Sequence, residues 1–431
     1  MKKYICFLSS VFLVLAVACA GFPQEGSGVS TETAAPTQTI PLTAASTLAL
    51  PSPEATSSQV VLTIWLPPQF DPDSDSLAGS LLQARLNEFS KRRPGVSLVT
   101  RVKAMTGPGG LLDSLTTASA AAPLAVPDLI ALPYDLMEAA ALKGLLHPYD
   151  NLTTVLDESD WYNYAQELAH LQGSIYGLPF AGDALVLVQR SDVGLVSPVD
   201  WATVLELQKP LGYPAADPLA LFSIALYQAK GGEVRDEQGR PFLDAVILSE
   251  VLEFYTQAVE VGVMPYWLTQ YQADEQIWEA FQENQADVVA TWISHFLAEP
   301  LENASIAPLP TPNGDLYTLA DGWVWGLSTR QDEHTELAVE LAEFLTASSF
   351  LAAWTDAAGY LPPRSTSLKA WSEASLQETI GPISGSAHLL PTADVLTSVG
   401  VPMQQATVQI LKQQDDPVTA AQAAAASLAS P

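Results

Sequence analysis

A chain of 431 residues exceeds the ~250–300 residues at which a single core stops growing, so it divides into at least two lobes. Lys+Arg of 18 against Asp+Glu of 48 give a formal charge of −30, a field that repels phosphate backbones and anionic headgroups and excludes nucleic acid as a partner. With 48% hydrophobic and 15% charged residues, global disorder is excluded too.

In chain order, the first element is a leader. Lys2 and Lys3 precede an apolar run from Ile5 to Val17, long enough for the h-region of an export signal and short of the ~20 residues a spanning helix needs. The run ends in Ala16-Val17-Ala18-Cys19, which resembles a bacterial lipobox. That resemblance implies lipidation of Cys19, with residues 1–18 removed as the signal. Ala16 stands where the pattern usually has Leu, and a conventional signal peptide cleaved nearby is the alternative. Cys6 and Cys19 are the only cysteines, so the folded part forms no disulfide and no cysteine metal cage. Residues 19–58, rich in Ser, Thr, Pro and Ala, bury too little apolar area to offset their ordering entropy and read as a disordered tether.

The body opens on a strand over Val60-Val61-Leu62-Thr63-Ile64-Trp65, a β-branched run. A helix from about Leu77 to Ser90 follows, with Leu77, Leu81, Leu82, Leu86 and Phe89 on one face. Pro94-Gly95-Val96 then turns the chain into a second strand. Pro127–Leu132 reads as a strand, Asp135–Leu142 as a helix, and Ala184–Val188 as another strand. Helices are expected around Leu219–Ala229, Ala245–Val261, Glu275–Glu283, His334–Ala347 and Thr407–Lys412, with a strand over Ala286–Thr291. Strands interleaved with helices imply an α/β sheet covered by helices. No internal repeat of 20–50 residues occurs, which disfavours a solenoid or propeller.

Several segments together resemble the extracellular solute-binding proteins of ABC importers, in the sugar-binding family that includes maltose-binding protein. They are Leu62-Thr63-Ile64-Trp65, Phe89–Val96, Pro127-Asp128-Leu129-Ile130 with Gly144-Leu145-Leu146 and Pro148, Ile175–Phe180, Gly231-Gly232, Ala320-Asp321-Gly322-Trp323 with Gly326-Leu327-Ser328, and Ala358–Arg364. The resemblance runs over most of the chain from Val60 onward. It implies an α/β, two-lobed periplasmic-binding-protein-like fold with a hinge and an interlobe ligand cleft. The expected division is 59–181 with 306–347 in the N-terminal lobe, and 182–305 with 348–431 in the C-terminal lobe.

Ligands of open α/β sheets sit beyond the carboxyl ends of strands, and aromatic faces beside polar groups suit sugar rings. By family position, Asp135, beside Tyr134, and Asp183 are expected to meet sugar hydroxyls; a helix N-cap is the structural alternative for Asp135, and a solvated loop carboxylate for Asp183. Trp292 lies in a loop that often carries an aromatic platform. Trp323 is expected in the cleft, with Trp325 on the same strand face but packed at the hinge. Gln69, followed by Phe70, falls at a polar-contact position in a segment less polar than the family pattern. Tyr360 and Arg364 flank a turn that often reaches the ligand. Trp65, Trp201 and His295 are read as structural.

Other chemistries find little support. Asp71, Asp73 and Asp75 begin like a calcium loop, but Ser76 and Leu82 stand where Gly and Glu are needed. The five histidines lack His-x-x-x-His spacing, and no Gly-x-Ser-x-Gly elbow occurs. The expectation is a monomeric, lipid-anchored, extracytoplasmic protein that requires no metal or other cofactor. It captures a small-molecule solute, a sugar or oligosaccharide, and passes it to ABC permease subunits without making or breaking bonds. The alternatives are a binding protein for a cationic or amphiphilic non-sugar solute and a tethered, secreted glycan hydrolase.

Overall fold

The computed structural model describes residues 59–329 and 331–428. The leader, Cys19 and the tether lie outside these residues.

Nine strands form one sheet: β1 (Val60–Leu66), β2 (Val96–Val102), β3 (Leu129–Pro133), β4 (Gly177–Arg190), β5 (Leu211–Gly212), β6 (Val288–Trp292), β7 (Ala304–Ala307), β8 (Thr318–Leu327) and β9 (Ala387–Leu389). Their order is β2-β1-β3-β8-β4-β6-β5, with β9 on β8 and β7 on β4. β1 runs parallel to β2 and β3, whereas β8 is antiparallel to both β3 and β4. The fold is α/β and two-lobed, as the resemblance implies.

Side-chain alternation sorts each lobe's core onto two faces. In the first lobe Leu62, Ile64 and Leu66 of β1 and Trp323 and Trp325 of β8 pack with Leu82, Leu86 and Phe89 of the helix Leu77–Arg92. The intervening Trp65, Ile130, Leu132 and Val324 pack on the other face with Leu111, Leu115 and Met137. In the second lobe Leu185, Leu187, Val288 and Ala290 face the helix Ala245–Glu260, while Ala184, Val186, Val188 and Val289 face Ile277 and Phe281.

Two strands belong to both lobes. β4 pairs with β8 through Gly177–Ala184, then with β6 through Leu185–Gln189. Along β8, Leu319 lies in the second lobe's core and Leu327 in the first. The pairing carries a bulge between Trp323 and Val324, a device that re-aims side chains where it occurs.

Local chemistry fixes the element ends. Ser76 caps the helix Leu77–Arg92, its Oγ accepting the Gly79 amide at 2.9 Å. The acidic turn of Asp71 and Asp73 thus leads into a helix, with Asp71 accepting the Asp73 amide. Gly95, at φ 101°, makes the turn into β2, a conformation that suits a residue without Cβ. Asp244 caps Ala245–Glu260 through the amides of Val246 and Ile247.

The sequence reading fell short in identifiable places. The segment Thr407–Lys412 is only the end of a helix over Ala393–Leu411, which holds Gly400 and Pro402 in its interior. Ala184–Val188 is the middle of the fourteen-residue β4, and the helix Leu111–Ala121 went unread. The lobe boundaries also differ from expectation. Helix Ser348–Ala358 buries Leu351 and Trp354 among Leu62 and Leu82 of the first lobe, whereas Leu309 and Leu319 pack with the second.

Candidate functional site

Where β4 and β8 cross from one lobe to the other, Asp183 stands directly opposite Asp321 in the ladder. Cross-strand partners present their side chains on the same side, with Cβ atoms about 4.5–5.5 Å apart. Both carboxyls face a cavity of 490 Å³ whose lining also includes Tyr134, Asp135, Trp292 and Trp323. Leu219, Leu221, Leu390 and Leu396 form its apolar wall. The cavity adjoins a second, of 740 Å³, sharing Tyr134, Asp135, Leu390, Pro391 and Ala393 and adding Glu138, Glu167, His170, Arg235 and Asp394. The cleft is therefore elongated, with acidic groups along its length.

Each side chain is held by its element. Asp183 Oδ1 accepts the amides of Ala184 at 2.9 Å and Ser294 at 3.1 Å. Asp321 Oδ1 accepts the Gly322 amide at 2.7 Å. A Cβ at Gly322 would meet the carbonyl oxygen of Ala181 at 2.6 Å, and one at Gly182 would meet the Tyr164 hydroxyl at 2.1 Å. These two glycines therefore let the crossing strands and the helix behind them approach closely.

Both carboxyls open to the cavity but are otherwise surrounded by protein. Burial pushes Asp183 up to about 7 against the bonds from Ser294 and Ala184. Burial likewise pushes Asp321 up to about 7, with Asp135 and Asp183 adding repulsion. Asp135 is also raised, chiefly by burial, and Tyr134 is pushed up to about 12, first by burial and then by Glu138.

Five of the eight residues expected at the ligand meet in this cavity: Tyr134, Asp135, Asp183, Trp292 and Trp323. Asp135 is not an N-cap, since Pro133 holds that position and Asp135 lies in the first turn of Tyr134–Leu142. Trp323 is 9% exposed and packs edge-on against Phe70 at 4.8 Å, so only a margin of its ring reaches the cavity. Trp292 ends β6 half-buried, and its greater exposure makes it the fuller platform.

The other three lie elsewhere. Gln69 is exposed, its Nε2 directed to Met105 Sδ at 3.7 Å. Tyr360 packs against Phe70 at 5.6 Å and is absent from the cavity lining. Arg364 is 5% exposed; its Nε and Nη2 donate to Asp160 at 2.9 and 2.7 Å, Nη2 also reaches Glu158, and Nη1 donates to the Thr346 carbonyl at 3.3 Å. Its guanidinium lies 4.6 Å from the centre of the Trp161 ring. Four of the five N–H donors of this fork are thus engaged within the protein.

The residues read as structural are packed. Trp325 stacks on Phe180 at 4.5 Å and Trp201 on Phe254 at 4.7 Å, while Trp65 is buried. His295 Nδ1 lies 3.0 Å from Asp274 and its ring stacks on Trp278. Asp321 entered the sequence reading only as a neighbour of Trp323. A carboxylate inside an otherwise apolar strand was the available signal, since such groups are seldom buried without a purpose.

The description "bacterial extracellular solute-binding protein" matches residues 84–379. Among solved structures, the chain is similar to the sugar-binding protein MalE of the phytopathogen Xanthomonas citri, at 19% identity and a TM-score of 0.69, over 86% of this chain and 98% of that one. It is similar to the maltose-bound MalE3 of T. maritima at 20% identity and a TM-score of 0.65, over 86% and 99%. A solute-binding protein of an ABC transporter from Thermotoga lettingae TMO, bound with α-D-tagatose, shares 19% identity at a TM-score of 0.63, over 86% and 98%. At these identities the likeness shows the fold. No curated protein matches the sequence.

Proposed function

Because the chain belongs to the bacterial extracellular solute-binding proteins, we propose that it captures a sugar or oligosaccharide in the cleft between its lobes and delivers it to an ABC permease. The observation that carries this reading is the cavity at the strand crossing, where Asp183, Asp321 and Asp135 stand beside Trp292, Trp323 and Tyr134. An aromatic face accepts the C–H side of a sugar ring while carboxylates accept its hydroxyl protons. The continuation into a second cavity gives room for more than one ring. The bound maltose and tagatose of similar structures lend support from outside the chain.

Ligand would stabilise the closed arrangement in proportion to its preference for it. At a hundredfold excess over Kd, the expected gain in folding stability is about 2.7 kcal/mol. A thermal-shift panel of mono- and oligosaccharides is therefore expected to raise Tm for at least one sugar without release of product. Trp292→Ala should weaken that sugar at least about tenfold, some 1.4 kcal/mol. If no saccharide moved Tm, or if a glycan were cleaved, the reading would fall.

The family is extracytoplasmic, and Lys2, Lys3, the apolar run and Cys19 support a lipid anchor. Cys19→Ala is expected to move the protein from the membrane to the soluble fraction; retention in the membrane would argue against the anchor.

A further inference from the structure

Among the described residues, the 490 Å³ cavity has no Lys, Arg or His in its lining, yet three carboxylates stand in it. Asp183 and Asp321 are ladder partners and repel each other. The hydrogen bonds they accept come from the amides of Ala184 and Gly322 and from Ser294, and among the described residues no cation lines the cavity beside them. Tyr164 lies fully buried behind Gly182 and its hydroxyl has no hydrogen-bond partner, so no proton is donated from that side either. His295, outside the lining, is hydrogen-bonded to Asp274 at 3.0 Å and offsets Asp183 only through space. Farther along the cleft Glu138, Glu167 and Asp394 stand with only His170 and Arg235, and Arg235 already lies 3.6 Å from Asp394.

A neutral sugar brings no positive charge to the pair, whose repulsion is then relieved only by a proton kept on one of the carboxyls. Hydroxyls donate to carboxylates, but they do not cancel two like charges held side by side in a desolvated strand pair. An ammonium group does: it brings three donors and one positive charge, and the half-exposed ring of Trp292 bordering the same space favours a cation over its face. We infer that this cleft selects a saccharide bearing a protonated amine, an amino sugar whose ammonium sits between Asp183 and Asp321. The inference rests on the saccharide reading above and narrows it.

Calorimetric titration of the full chain near pH 7 with four probes tests it: the β-1,4 glucosamine disaccharide, its N-acetylated counterpart, maltose, and spermidine. The amino disaccharide is expected to bind at least about tenfold more tightly than the N-acetylated or neutral sugars. Asp321→Asn, close to isosteric, removes the charge and keeps one oxygen acceptor, so it should weaken the amine more than the neutral sugar and reduce that ratio to about twofold. Equal or weaker binding of the amino disaccharide overturns the inference, and the wild-type ratio alone decides this should the variant fold poorly. Maltose bound without an amine advantage would leave the saccharide reading standing and end this one. Spermidine bound while every saccharide failed would end the saccharide reading and keep the demand for an amine.

Discussion

Arg364→Leu is expected to destabilise the protein by about 3–5 kcal/mol, the usual range for removing one partner from a buried ion pair. The guanidinium bridges the segment around Glu158 and Asp160 to the turn that follows Tyr360, and the Asp160 side chain is only 15% exposed. Leucine would leave that carboxylate without its fork, deprive the Thr346 carbonyl of a donor, and expose the face of Trp161 now covered by the cation. In equilibrium unfolding by urea, Asp160→Asn added to the variant should restore part of the loss, because the stranded charge is then gone. Ligand affinity should stay within about twofold of wild type, since Arg364 is outside the cavity. A stability change below about 1 kcal/mol would show the bridge to be idle; a large loss of affinity without loss of stability would return Arg364 to the site.

The second large effect is a pH dependence. Asp183 and Asp321 both stand near 7 in the folded chain, against an ordinary 3.8. A carboxyl whose folded value is raised holds its proton more tightly when folded, so its contribution is fully present below about pH 4 and is lost as pH rises through about 7. The two titrate as a pair and face a cavity that admits water, so the combined loss between pH 5 and pH 8 is expected to be about 3 kcal/mol rather than the sum of two full shifts. Asp321→Asn removes one member and relieves the other of its neighbour's charge. The variant should therefore lose about half as much stability over the same interval, and be more stable than wild type at pH 8. Urea unfolding of both proteins at pH 5 and pH 8 measures this, the general repulsion of a −30 surface being nearly common to the two. Parallel pH slopes would mean that the pair ionises as freely in the folded chain as outside it.

The framework of the fold was legible because it rests on local patterns. The β-branched run at Val60 gave β1, the apolar face of Leu82, Leu86 and Phe89 gave its helix, and Ser76 supplied the start. Helix Ala393–Leu411 was nearly lost because Gly400 and Pro402 interrupt its pattern, and packing of Val395, Val399 and Met403 overrides that local penalty. Helix Ser348–Ala358 was placed with the wrong lobe because sequence position does not say which core Trp354 enters. At the site, Asp183 and Trp292 were reachable by family position. The facing of Asp183 and Asp321 was not, because a ladder register between residues so far apart in the chain is a property of the assembled sheet. Arg364 illustrates the opposite error: an arginine beside a ligand-reaching turn looks available until its acceptors, distant in sequence, come to meet it.

The acidic pair lies on the two strands shared by the lobes, which in the proposed closure would act as an axle. When one body rotates against another, points on the axis scarcely move while displacement grows with distance from it. Leu221 and Leu396, on helices of the second lobe, would sweep an arc during such a rotation, whereas Asp183 and Asp321 would keep their spacing if the ladder between them stays intact. On the proposed reading, a solute would therefore meet these two carboxylates before anything has turned. The end of the molecule that is recognised first and the end that registers closure are then different ends, and chemical changes at one should alter the encounter while changes at the other alter how long the solute is held.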